Sequence, residues 1–185
     1  MVDQNTIWAL KHGDQSAYAA LYKKSIAYVY TVVRQFVEQD YAHQDIIQDI
    51  YARVFLNIQK YDEQKGPFKP WLRRITINQC FDFIRKNKRE TTLIPIEQIL
   101  ETPEEESIEF TGINDEDILK AVDDMPKGYK NVFLLIMVEG YDHQEVSQIM
   151  EISEEASRSQ LSRAKGWLRK RLNYRTKQKN INGFK

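Results

Sequence analysis

Apolar residues recur at three- and four-residue spacing along most of the chain, and no segment alternates convincingly at period two. The expected fold class is therefore all-α. Gly13-Asp14 opens a helix in which Tyr18, Leu21, Tyr22, Val29, Val32, Val33 and Phe36 share one face. A second helix begins between Asp40 and Gln44, with Ile46, Ile47, Ile50, Val54, Phe55 and Ile58 as its stripe. Residues 61–70 read as a loop, because Gly66-Pro67 is a strong breaker. The next helix starts near Pro70, which a first turn tolerates, and runs into a basic cluster ending near Arg89. Over residues 91–114 the pattern lapses. Pro95, Pro103, Gly112 and the run Glu104-Glu105-Glu106 make that stretch an extended linker. Helices resume at Asp115, break at Met125-Pro126 and stop at Gly140. The expected organisation is a helical domain over residues 1–90, an acidic linker over 91–114, a second domain over 115–173, and a frayed basic tail over 174–185.

Residues 141–172 carry a more specific pattern. Asp142 sits where a helix cap belongs, with Glu145 three residues later to complete a capping box. Val146, Ile149 and Met150 give this helix its apolar side. The turn Glu151-Ile152-Ser153 follows, and Ser153 is placed to cap the next helix, whose buried stripe is Leu161, Ala164, Leu168 and Leu172. Arg158, Ser159, Ser162 and Arg163 point outward as two i,i+4 pairs. A short helix, a tight turn and a second helix with outward Arg and Ser is the pattern that enters the major groove of DNA. A solvated helical hairpin with a charged face is the competing reading.

Charge distribution sharpens this picture, although the formal net charge is zero. Residues 67–90 hold seven basic residues against Asp82 and Glu90, residues 97–124 hold eleven acidic residues against Lys120, and residues 154–179 hold nine basic residues against Glu154 and Glu155. Two basic segments separated by an acidic one suggest two nucleic-acid contacts and a connector that avoids phosphate. Cys80 is the only cysteine, so an internal disulfide is excluded; a buried thiol in a reducing cytoplasm fits. No apolar run reaches a membrane span, and the first residues lack the order of a secretion signal. His12, His43 and His143 stand in no metal-ligand spacing, and no phosphate loop or nucleophile elbow occurs, so no catalytic group, metal or cofactor is expected.

Two further constellations lie in the N-terminal part. Asp45, Gln48 and Asp49 fall at i, i+3 and i+4, on one side of a helix whose other side is Ile-rich. Alone, such a patch reads as a solvated face. Arg74, Asn78, Asp82 and Arg85 form a polar stripe opposite Leu72 and Ile75. Arg can neutralise phosphates and Asn can pair with a base edge. Asp82 is wrong for phosphate contact; orienting a neighbouring Arg and accepting from a cytosine amine both stay open. Phe68 and Trp71 read as aromatic anchors of a helical core more readily than as stacking platforms.

Together these pieces resemble the extracytoplasmic-function group of sigma-70-type bacterial RNA polymerase sigma factors, over about residues 13–173. Asp45-Ile46-Ile47-Gln48-Asp49-Ile50-Tyr51 is similar to the family's region 2.2 signature. Phe68-Lys69-Pro70-Trp71-Leu72-Arg73-Arg74-Ile75-Thr76-Ile77-Asn78, followed by Asp82 and Arg85, is similar to regions 2.3 and 2.4, and the helix-turn-helix to region 4.2. The resemblance implies that Asp45, Gln48 and Asp49 dock on bacterial core RNA polymerase. It implies that Lys69, Arg73, Arg74, Asn78, Asp82, Arg85 and Lys86 contact −10 promoter DNA, with the loop over residues 61–69 receiving a flipped base. It places Glu155, Ala156, Arg158, Ser159, Ser162 and Arg163 against the −35 duplex. It also implies control by an anti-sigma factor and a linker in the polymerase's RNA-exit path; the lack of a long apolar run predicts no direct membrane insertion. Two positions depart from the family pattern. Glu151 stands where Gly is frequent in the turn, and Ser157 replaces an apolar β-branched residue. The first is expected to re-shape the turn and the second to lose packing.

Two other functions compete. A regulator using only the helix-turn-helix would bind a palindromic site without polymerase, and helical surfaces could serve mainly to bind a regulatory protein. An enzyme is the least supported, since the acids near Asp45 lack partner ligands from other segments.

Overall fold

The computed structural model of the chain describes residues 2–87 and 114–182, with side chains as far as Leu172. The expected linker lies outside the described residues except for Asn114. Every regular element among the described residues is a helix or a helical turn. The chain divides into two units, Met1–Leu93 and Ile94–Lys185.

In the first unit α1 (Gln4–Lys11), α2 (Gln15–Phe36), α3 (His43–Asn57) and α4 (Phe68–Lys86) pack around one core. Asp14 caps α2 by accepting from the Ser16 amide at 2.8 Å. Leu21, Val29, Val32, Val33 and Phe36 are buried, as the spacing predicts, while Tyr22 is largely exposed. The β-branched valines cost some helix propensity, a few tenths of a kcal/mol each. Full burial returns about 1.5–3 kcal/mol per side chain, so packing decides the outcome. Ile46, Ile47, Ile50 and Val54 of α3 meet Leu72, Ile77, Cys80 and Phe81 of α4 in the same core.

Larger apolar spacing gives no helix before Gly13, yet α1 is present. Its signal is short: Asp3 caps it by accepting from the Thr6 amide at 2.8 Å, and Ile7 and Leu10 bury one side. The loop before α4 ends at Pro67 rather than Pro70, so Pro70 occupies the first turn of α4. Tyr61 closes this loop by donating its hydroxyl to the Gly66 carbonyl at 3.0 Å. Gly66 has φ 147°, a conformation open to glycine and strained for other residues.

In the second unit α5 (Asp115–Asp123) and α6 (Lys127–Phe133), which widens into a π-turn over Leu134–Val138, pack on α8 (Glu154–Asn182) beside α7 (His143–Met150). Gly140 terminates the α6 segment with φ 75°, letting the Tyr141 amide reach back to the Leu135 carbonyl at 3.0 Å. The Trp167 indole donates to the Ala121 carbonyl at 3.3 Å, and Arg171 pairs with Asp124 at 2.7 Å, both fixing α8 to α5. The backbone of α8 runs on to Asn182, beyond the Tyr174 where the sequence pattern places a frayed tail. Leu172 is the last buried position among the described side chains, and no Gly or Pro follows until Gly183 to stop the helix.

Candidate nucleic-acid interface

The helix-turn-helix is built as its sequence signals require. The Asp142 carboxylate accepts from the Glu145 amide at 2.7 Å, and the Glu145 carboxylate accepts from the Asp142 amide at 3.3 Å, closing the capping box. Ser153 Oγ accepts from the Ala156 amide at 3.0 Å and starts α8. Leu161, Ala164, Leu168 and Leu172 are buried. Glu155, Arg158 and Ser159 are exposed; Ala156, Ser162 and Arg163 are half-buried. Arg158 pairs with Glu154 at 2.7 Å one turn back. An exposed i,i+4 pair contributes only a few tenths of a kcal/mol, so a stronger anion can draw Arg158 away.

The two departures have physical consequences here. Glu151 adopts the left-handed conformation, φ 53° and ψ 49°, the geometry that glycine would accept without strain. Ser157 is fully buried, and its hydroxyl lies 2.9 Å from Nδ1 of His143, so a polar link between α7 and α8 stands where a loss of packing was expected. Burial and the adjacent Arg158 guanidinium hold the His143 imidazolium below the usual histidine range.

On α3, Asp45, Gln48 and Asp49 are all exposed on one face, continued by Ala52 and by Leu56, which is 80% exposed. The surface is thus acidic with an apolar end. Asp49 is also anchored. Gln79, a buried residue of α4, donates to its carboxylate at 3.1 Å.

The seven residues expected at −10 DNA fall on two sides of α4. Arg74, Asn78, Asp82 and Arg85 share one side. Lys69 and Arg73 turn instead to α2, where both lie over the Tyr28 ring, at 4.7 and 5.9 Å from its centre. Arg73 also donates to Gln35 Oε1 at 3.2 Å. Lys86 is exposed in the last turn. Ile75 is not opposite the stripe: it lies seven residues before Asp82, nearly on the same side, and is only half-buried. Of the two roles open to Asp82, the structure has the first, since its carboxylate pairs with Arg85 and, at 2.7 Å, with Arg53 of α3.

Phe68 is buried and Trp71 half-buried; with Tyr61 they form a triad whose ring centres are 5.3 to 5.4 Å apart. They anchor the base of the loop as core residues. The sequence patterns missed the bracing of this loop by α1. Lys11 Nζ donates to the Tyr61 carbonyl at 2.6 Å, Gln59 donates to the Lys11 carbonyl at 2.5 Å, and Gln4 donates to Glu63 at 3.3 Å. Separations of about fifty residues leave no local signal for these bonds. Arg53 was missed as well, because only the α3–α4 packing brings it to Asp82.

Cys80 is buried and its thiol is pushed up to about 12 by burial, so it packs as a small apolar group. Among the described residues no cluster of His, Cys, Asp and Glu is placed to hold a metal, and no helix is long and apolar enough to cross a membrane.

Residues 21–90 match the family model for Sigma-70 region 2, and residues 115–168 match that for Sigma-70, region 4. The chain is 24% identical to the ECF RNA polymerase sigma factor SigM of Bacillus subtilis over 151 residues, 78% of this chain and 88% of the relative. It is 25% identical to SigW of the same organism over 187 residues, covering 93% and 97%. Among solved structures, CnrH in complex with the cytosolic domain of CnrY is similar over 93% of this chain and 97% of that one, at 19% identity and TM-score 0.49. The two family matches fall in order on the two units and together span well over half of the chain, which belongs to the extracytoplasmic-function group of sigma-70-type RNA polymerase sigma factors.

Proposed function

We propose that this chain directs bacterial core RNA polymerase to promoters through three surfaces. The exposed face of Asp45, Gln48 and Asp49 docks on the core enzyme. The stripe of Arg74, Asn78 and Arg85, with Lys69, Arg73 and Lys86 at its flanks and Asp82 orienting its arginines, engages the −10 element. The loop over residues 61–67, pinned by the Tyr61–Gly66 hydrogen bond, receives a flipped base, and its contacts with that base return the few kcal/mol that extrusion costs. Glu155, Ala156, Arg158, Ser159, Ser162 and Arg163 meet the −35 duplex, where an Arg bidentate to guanine contributes about 1–3 kcal/mol of discrimination.

The observation that carries this reading is the pairing, in one chain, of a region 2 match over the first unit with a capped helix-turn-helix in the second. A stand-alone regulator would leave the region 2 match and its exposed acidic face without a role. In this reading the chain acts in the cytoplasm, performs no covalent chemistry and is held inactive by an anti-sigma factor. Residues 91–114 connect the two DNA-reading units along the polymerase's RNA-exit path.

Run-off transcription from a promoter library, with core polymerase in the presence and absence of this chain, is the test. Initiation must depend on the chain and be lost with Asp45→Ala/Asp49→Ala together, or with Arg158→Ala. Sequence-specific DNA binding by the chain alone, without stimulation of polymerase, would support the regulator instead.

A further inference from the structure

We infer that Arg53 of α3 joins Arg85 of α4 in a phosphate-binding pair oriented by Asp82, which extends the −10 contact surface from α4 onto α3. This inference rests on the promoter reading above and adds a residue outside the −10 set assigned from the sequence. One carboxylate serves two guanidiniums here: Asp82 Oδ2 holds Arg53 at 2.7 Å, and Oδ1 holds Arg85.

The exposures set which charge faces solvent. The Asp82 side chain is 16% exposed, whereas Arg53 is 50% and Arg85 27% exposed. An anion approaching from solvent therefore meets guanidinium before carboxylate. Engagement by Asp82 fixes the planar fork of Arg53 through one nitrogen, and a guanidinium has five donors in all. A fixed guanidinium fork matches phosphate geometry.

A purely structural α3–α4 ion pair has the same geometry, so energetics must separate the two. The helices are already joined by Ile50, Val54, Ile77 and Phe81, all buried, and a half-exposed pair adds little to that core. Phosphate contact, in contrast, leaves a signature in salt dependence, because each neutralised phosphate releases counterion.

The test uses holoenzyme assembled from core polymerase and the full chain, bound to a fork-junction DNA carrying the −10 element, across about 50 to 200 mM salt. Arg53→Ala should lower the slope of log K against log salt by roughly 0.7–0.9, the value for one phosphate, while Arg53→Lys should keep the slope. Asp82→Asn should weaken binding although it makes the surface more positive, because orientation is lost. Affinity of each variant for core polymerase, measured without DNA, should equal wild type. An unchanged slope in Arg53→Ala overturns the inference in favour of a structural pair. Loss of core affinity overturns it in favour of a polymerase contact, one turn beyond Asp49. Wild-type holoenzyme that fails to select the −10 sequence would instead remove the promoter reading itself, and this inference with it.

Discussion

Glu151→Gly should stabilise the helix-turn-helix, which is unusual for a substitution that removes every side-chain atom. Glu151 is the only non-glycine residue with positive φ among the described residues, at 53°. Its geometry is enforced by the chain on both sides. The Glu151 amide reaches the Ser147 carbonyl, the Ile152 amide reaches the same oxygen at 3.1 Å, and Ser153 must stay in place to cap α8. A left-handed L-residue costs about 1–2 kcal/mol. Glycine removes that strain but loses about 0.5–1 kcal/mol more conformational freedom on folding. Removing a carboxylate from the negative end of α7 returns a few tenths of a kcal/mol. The net gain is about 0.5–1 kcal/mol, or a twofold to fivefold shift in the opening equilibrium. Hydrogen exchange of the amides of α7 and the first turns of α8, resolved by peptide, should slow by that factor. Glu151→Ala is the control: it removes the charge and keeps the Cβ, so its exchange should slow far less. Equal slowing in the Ala and Gly variants would refute backbone strain and assign the whole effect to the carboxylate.

Other outcomes follow from individual contacts. Lys11→Ala removes the bond to the Tyr61 carbonyl, worth about 1 kcal/mol, so exchange and proteolysis over residues 62–66 should rise while α2 and α3 stay protected. Gln79→Leu conserves volume and deletes a buried carbonyl that has no partner, so stability should change by less than about 1 kcal/mol; core-polymerase affinity should nevertheless fall as Asp49 loses its anchor. His143 binds its proton less readily in the fold than in the unfolded chain. The unfolded state therefore takes up more protons as pH drops through 6.5, and the second unit should lose stability below that value. Urea midpoints at about pH 5.5 and 7.5 should differ in wild type, and the His143-dependent part of that difference should vanish in His143→Gln.

Contacts between residues a few positions apart are legible in the sequence, and those between distant residues are not. The capping box at Asp142, the Ser153 cap and the Gly140 stop each depend on residues a few positions apart, and each forms as its sequence requires. Burial of Ile46, Ile50, Leu161, Ala164 and Leu168 follows from helical period alone. Lys69 and Arg73 show the limit. Their charge marks them as phosphate ligands, but Tyr28, more than forty residues earlier, draws both toward α2. Ser157 shows another: its polarity looks like lost packing until His143, fourteen residues away, supplies a partner. Asp82 left two roles open because the deciding residue, Arg53, reaches it only through the α3–α4 crossing.

The Gln79–Asp49 bond has a consequence for anyone wishing to exchange promoter preferences between such proteins. Gln79 is buried on the helix proposed to read DNA, yet its amide grips a carboxylate on the helix proposed to grip the enzyme. Grafting α4 alone from a relative would leave the host's Asp49 and Arg53 each facing a foreign residue in place of Gln79 and Asp82. A graft that transplants the sequence of one helix thereby damages the attachment of the other. Working chimeras should be those cut between the two units, with α1 through α4 inherited as a single piece.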